Sequence, residues 1–142
     1  MGDRGFTLLE LMIVIVIIAI GAALAAPDMG VWVSKQRLKS ASRNVFYHLQ
    51  QVRGEAVKEN TTLTISFDLD NNTYSAGAVI PNQDMPGGVV ISSVCSTVTG
   101  ISTTGFDGRG ISTRPGNIVI TSTDTGDIRT IVISPGGSIS IQ

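Results

Sequence analysis

Arg4-Gly5-Phe6-Thr7-Leu8-Leu9-Glu10 opens a run, Phe6 to Ala26, of 21 residues that are apolar except for Thr7, Glu10 and Gly21. As a helix this run reaches roughly 31 Å, close to the hydrocarbon thickness of a bilayer. Glu10 is the residue that a plain anchor does not explain. A carboxylate carried to mid-bilayer costs on the order of 3 kcal/mol, and less near the interface. Ionisable groups in such segments are functional and paired as a rule, so Glu10 calls for a positive charge from another chain or from a new N-terminus. Two blander readings compete. One is a secretory signal peptide, for which Ala23 to Ala26 supplies small residues on the far side but Arg4, offset by Asp3, makes a poor basic start. The other is a simple membrane anchor.

Working outward, Pro27 ends or kinks the apolar helix, since proline removes one helical hydrogen bond and clashes with the preceding turn. Beyond it the pattern turns amphipathic. Leu38, Ala41, Val45, Leu49, Val52 and Ala56 recur at spacings of three and four and form one stripe. Phe46 and Tyr47 broaden that face, while Lys35, Gln36, Lys39, Ser42, Arg43, Gln50, Arg53 and Lys58 cover the rest. Asn60 is a helix stop. Phe6 to about Glu59, if continuous, is roughly 80 Å long.

The remainder of the 142-residue chain is rich in Gly, Ser, Thr, Ile and Val, a composition for strands and turns. Strands are expected at Thr62–Phe67, Thr73–Ile80, Val89–Val94, Ile101–Phe106, Asn117–Thr121, Ile128–Ile133 and Ser138–Ile141. Asp70-Asn71-Asn72 and Pro135-Gly136-Gly137 are turns, and Pro81 to Gly88 is a loop. Six or seven strands against one helix face imply an α+β head with mainly antiparallel sheet. The organisation is thus a leader over 1–5, a transmembrane and assembly helix over 6–27, its amphipathic continuation over 28–59 and a β-rich head over 60–142.

Formal net charge is only −1, which gives no global attraction to nucleic acid. The distribution is uneven: Lys35, Arg37, Lys39, Arg43, Arg53 and Lys58 face Asp28, Glu55 and Glu59, whereas the head from Asn60 carries three arginines and six aspartates. The basic cluster Lys35–Arg43 is read either as a solvated face or as a surface for anionic lipid headgroups or acidic neighbours. By the positive-inside rule alone these cations place the C-terminal side in the cytoplasm.

Chemistry is sparse. Cys95, the single cysteine, forms no internal disulfide and reads as a small core residue. His48, the single histidine, has no second ligand at metal spacing and reads as a surface or rim residue. Asp68-Leu69-Asp70-Asn71-Asn72 begins like a calcium loop but lacks its glycine and distal glutamate, so a hairpin turn is preferred. Asn60-Thr61-Thr62 and Asn71-Asn72-Thr73 fit the glycosylation sequon weakly. No Ser/His/Asp arrangement, metal cluster, P-loop or dinucleotide fingerprint is present, and neither an enzyme nor a cofactor is expected.

The opening heptad resembles the type III signal of type IV pilins and pseudopilins. That resemblance implies a prepilin peptidase cut between Gly5 and Phe6, N-methylation of Phe6, and a Glu10 that pairs with the N-terminal amine of a neighbouring subunit. The pairing is physically reasonable, because two groups too costly to bury singly become tolerable together. Pro27 falls where related pilins often carry a proline. Leu38–Asn44, Arg53–Lys58, Phe106-Asp107-Gly108-Arg109-Gly110 and Ile131–Ile139 resemble the GspH/FimT group of minor pilins and pseudopilins. The resemblance implies a structural subunit at or near the tip of a type IV pilus or a type II secretion pseudopilus. Other pilins, prepilin peptidase and the inner-membrane assembly platform are the implied partners. It places the chain in the bacterial inner membrane with the head periplasmic, against the positive-inside rule, and then in the filament. A C-terminal disulfide, common in major pilins, is missing. The alternative is a DNA-binding minor pilin for natural transformation, with Arg109 and Arg114 as candidate DNA contacts, although two arginines on an acidic head are thin electrostatics.

Overall fold

The structure is a computed structural model that describes residues 6–25, 29–95 and 101–142. It separates into two compact units, residues 1–33 and 34–142. In the first, α1 (Leu8–Ala25) has 18 residues. Thr7 caps it: Thr7 Oγ1 accepts from Glu10 N–H at 3.3 Å and Thr7 C=O accepts from Leu11 N–H at 3.2 Å. The side-chain bond satisfies one orphan donor of the first turn, and the backbone bond is the first of the helical ladder. The described side chains of α1 are exposed on every face, from Leu8 at 77 % to Ile20 at 58 %. Residues 26 and 27 of the expected transmembrane run over 6–27 lie outside the described residues. The 18 described residues of α1 span roughly 27 Å. Among the described residues no helix is long and apolar enough to cross a membrane. Pro27 lies outside the described residues, as do Gly5 and the leader.

In the second helix, α2 (Met29–Glu59), the expected stripe is buried without exception: Leu38, Ala41, Val45, Leu49, Val52 and Ala56 are at most 2 % exposed. Each Leu or Val so buried contributes roughly 1.5–3 kcal/mol. Phe46 packs against this core, whereas Tyr47 is exposed and does not widen the face. Ser42, expected on the polar side, is buried, because its hydroxyl donates back to Lys39 C=O at 3.1 Å and so needs no water. Helix α2 ends in the way the asparagine suggests. Asn60 adopts φ 48°, its N–H donates to Val57 C=O at 3.3 Å, and Thr61 N–H donates to Ala56 C=O at 3.1 Å. This is a Schellman cap built on asparagine.

Eight strands follow among the described residues: β1 (Leu63–Asp68), β2 (Thr73–Ala76), β3 (Ile80–Asp84), β4 (Val89–Val94), β5 (Ile101–Phe106), β6 (Gly116–Ser122), β7 (Ile128–Ile133) and β8 (Ile139–Ile141). They form two antiparallel four-stranded sheets, in the orders β3-β2-β1-β5 and β4-β6-β7-β8. Alternation places Ile65 and Phe67 of β1, Ile118 and Ile120 of β6, and Ile131 and Ile133 of β7 in one buried cluster with the α2 stripe. The fold is α+β, a helix packed on antiparallel sheet. Two details differ from the sequence reading. Thr73–Ile80 is not one strand, because a turn at Gly77 separates β2 from β3. Pro81, expected in a loop, lies inside β3, an edge strand where a missing N–H costs no ladder bond.

Candidate functional site

At the N-terminal end, Phe6 is 74 % exposed and Glu10 is exposed on the first turn of α1. Thr7-Leu8-Leu9-Glu10 has the spacing of a capping box, a local signal independent of the charge of Glu10. The structure realises its threonine half, with Thr7 accepting from Glu10 N–H. Glu10 therefore sits at a defined place one turn from Phe6.

In the head, three sequence motifs meet at the C-terminal end of α2. Arg53 Nε donates to Gly110 C=O at 3.1 Å. Gly108 lies against the Asn60 cap so closely that a β-carbon there would stand 2.6 Å from Asn60 Oδ1 and 2.8 Å from its carbonyl carbon. At Gly137, with φ 81°, a β-carbon would collide with Gly110 C=O. The loop between is closed by Asp107. Its Oδ1 accepts from the N–H groups of Arg109 at 3.0 Å and Ile111 at 2.9 Å. Its N–H donates to Ile111 C=O at 2.9 Å. The Ile111 N–H, with the Arg109 side chain behind it, holds the Asp107 carboxyl below the usual carboxylate range.

These bonds decide how the candidate DNA contacts are used. Arg109 returns to Asp107 Oδ2 through Nε at 3.1 Å and Nη2 at 3.0 Å, so its charge is opposed within two residues. Arg114 Nη1 donates to Thr103 Oγ1 at 2.8 Å, and Arg114 C=O accepts from Thr104 Oγ1 at 2.8 Å. Arg114 holds the loop to β5, Arg109 is engaged within the loop itself, and the DNA-binding alternative gains no support.

The remaining reactive groups are spoken for. His48 Nδ1 lies 2.8 Å from Tyr74 Oη, half-buried at the rim of the core. Burial lowers the His48 pKa and pushes Tyr74 up to about 12. Cys95 is half-buried against the core rather than fully inside it. Burial raises its pKa, which disfavours a nucleophilic thiolate. The Asp68 turn binds itself: Asp68 accepts from Asp70 N–H, Asn71 N–H and Asn71 Nδ2 at 2.7–3.1 Å. Among the described residues no cluster of metal-ligating side chains occurs.

Residues 41–137, which include most of α2, every strand but β8 and the Arg53–Gly110–Gly137 corner, match the family described as type II transport protein GspH. The chain belongs to the GspH family. Residues 1–26 match the prokaryotic N-terminal methylation motif. The fold is similar to that of the type IV minor pilin FimU of Pseudomonas aeruginosa strain PAO1, with a TM-score of 0.62 at 18 % identity over 78 % of this chain and 92 % of that one. It is also similar to the minor pseudopilin EpsH from the type 2 secretion system of Vibrio cholerae, with a TM-score of 0.60 at 10 % identity over 75 % and 96 % of the two chains. No curated protein matches the sequence. This GspH-family chain is thus a minor pilin or pseudopilin of the GspH/FimT type, from a family of structural pilins that assemble with other pilins.

Proposed function

We propose that this chain is a structural rather than a catalytic subunit, stored in the bacterial inner membrane with its head periplasmic. In this reading prepilin peptidase cuts between Gly5 and Phe6, and Phe6 becomes the methylated N-terminus. The assembly platform then inserts the subunit at or near the tip of a type IV pilus or type II secretion pseudopilus. One observation carries the reading: a capped helix whose described apolar side chains are exposed all round. That surface is unstable in water, and it is satisfied by lipid before assembly and by neighbouring apolar helices after it.

Glu10 supplies the register. Buried singly among apolar helices the carboxylate is costly, and a neighbour's N-terminal amine is the partner that removes the cost. Thr7 fixes the first turn, so the carboxylate is held ready and no loop must be ordered for the pair to form. Glu10→Ala is the test. The variant is inserted and cleaved like the parent but is poorly incorporated into filaments, measured by shearing and quantitative immunoblotting. Normal incorporation contradicts the role given to Glu10.

A further inference from the structure

Two adjoining depressions run along one side of the head, of about 290 Å³ and about 250 Å³. The first is lined by Lys35, Leu38, Asp127, Ile128 and Arg129, the second by Lys39, Ser42, Arg43, Arg129 and Ile141. Arg129 of β7 lines both. Lys35, Lys39 and Arg43 follow one another at four-residue spacing and so share one face of α2. All four cations are exposed. Among the described residues none of the four is in an ion pair, since the pairs found are Lys58–Glu55 and Arg109–Asp107. The single lining carboxylate, Asp127, already accepts from Thr125 Oγ1 at 2.9 Å.

Like charges at this spacing repel, and an intervening anion relieves that repulsion. The lining between the cations is mixed: Asp127 and Ser42 are polar, while Leu38 is buried beneath and Ile128 is 60 % exposed at the rim. A cationic groove with an apolar lip suits an amphiphilic anion better than a fully hydrated acidic peptide. The chain order agrees. The apolar helix α1 ends at Ala25 and Lys35 follows ten residues later, with the exposed Trp32, an interfacial residue by its chemistry, between them.

We propose that the groove formed by Lys35, Lys39, Arg43 and Arg129 binds the phosphate of an anionic phospholipid while the subunit is stored in the membrane. The proposal rests on the membrane storage argued above and adds a lipid class to it. Bound headgroups offset the four cations and hold the head at the bilayer surface. They also account for a basic segment on the side of the chain that the positive-inside rule would send inward.

The test uses the full chain in neutral detergent, offered equimolar phosphatidylglycerol and phosphatidylcholine, with retained lipid counted by native mass spectrometry. The wild type retains phosphatidylglycerol preferentially, and preference falls roughly fivefold for each groove cation removed. Arg43→Gln/Arg129→Gln loses it, Arg129→Lys keeps most of it, and Lys58→Gln, outside the groove, leaves it unchanged. Equal retention of the two lipids by the wild type overturns the proposal, as does a preference that survives in the double variant. Preferential binding of a glutamate-rich peptide over phosphatidylglycerol assigns the groove to a protein partner and overturns it too. Reconstitution into vesicles separates the two claims. A chain that inserts without lipid preference defeats the groove alone, whereas a chain that does not insert defeats membrane storage as well.

Discussion

Arg53 in the penultimate turns of α2 donates its Nε–H to the backbone carbonyl of Gly110, 57 residues further along the chain, at 3.1 Å. That one bond ties the helix to the loop that follows β5, and the Gly110 carbonyl is also the group against which Gly137 packs. Motifs that look unrelated in sequence, Arg53-Gly54-Glu55, Phe106-Asp107-Gly108-Arg109-Gly110 and Pro135-Gly136-Gly137, are three sides of one corner. Their shared role is to fix the orientation of the helix against the sheets.

Loss of this bond is measurable. A charge-assisted hydrogen bond at a half-buried site is worth about 1.5 kcal/mol. Arg53→Met keeps most of the stem packing and removes the donor. The variant is expected to melt roughly 6–12 °C lower by circular dichroism, a shift appropriate to a domain of about 100 residues. An unchanged melting temperature contradicts the anchoring role.

The glycines at the corner and in an open turn separate contact from conformation. Gly137 and Gly126 both have positive φ, 81° and 71°, but only Gly137 is also crowded, by the Gly110 carbonyl. Gly126→Ala carries only the left-handed penalty, roughly 1–2 kcal/mol. Gly137→Ala adds a backbone collision and is expected to lose substantially more stability, seen as a lower urea midpoint. Equal midpoints would remove Gly137 from the corner.

The cap at Asn60 gives a third contrast. Its φ of 48° suits asparagine or glycine. Asn60→Val forces a β-branched residue into that region and destabilises by about 2 kcal/mol or more, while Asn60→Gly is nearly neutral. Urea unfolding of the two variants checks the difference.

Acid sensitivity follows from His48. Burial lowers its folded-state pKa below the unfolded value of 6.5, so the unfolded chain binds the proton more readily. Stability contributed by keeping His48 neutral is complete above pH 6.5 and declines as pH falls through the unfolded value toward the folded one. The lowered carboxyls of Asp68 and Asp107 act only further down, below the ordinary value of 3.8. Between pH 7.5 and 5.5 the wild type therefore loses more of its urea midpoint than His48→Gln does. At the alkaline end Tyr74, pushed up to about 12, withdraws its contribution as pH rises beyond 10. Identical acid slopes for wild type and variant contradict the assignment to His48.

How much of this was legible in the chain varies by element. The α2 stripe was readable because burial on one helix face demands apolar residues at three- and four-residue spacing, and every one of the six named residues is buried. The ranges Val89–Val94, Ile101–Phe106 and Ile128–Ile133 stood out because turn residues bound them. Strand β3 did not, because Ile80-Pro81-Asn82-Gln83-Asp84 buries only Ile80 and is held through backbone bonds to β2. The division into two sheets was hidden too, because pairing partners such as β1 and β5 are distant in sequence. At the site, the corner motifs were visible as motifs, but their convergence depends on tertiary approach at glycines. The Thr7–Glu10 cap is legible from the three-residue spacing of its threonine and glutamate.

The central claim is that this chain is processed and assembled as a pilin. It is tested most directly by intact mass and N-terminal peptide mapping of the protein taken from native envelopes. A chain that begins at Phe6 with a methylated amine is the predicted result. A chain that begins near Pro27, or one that still carries Met1, contradicts it.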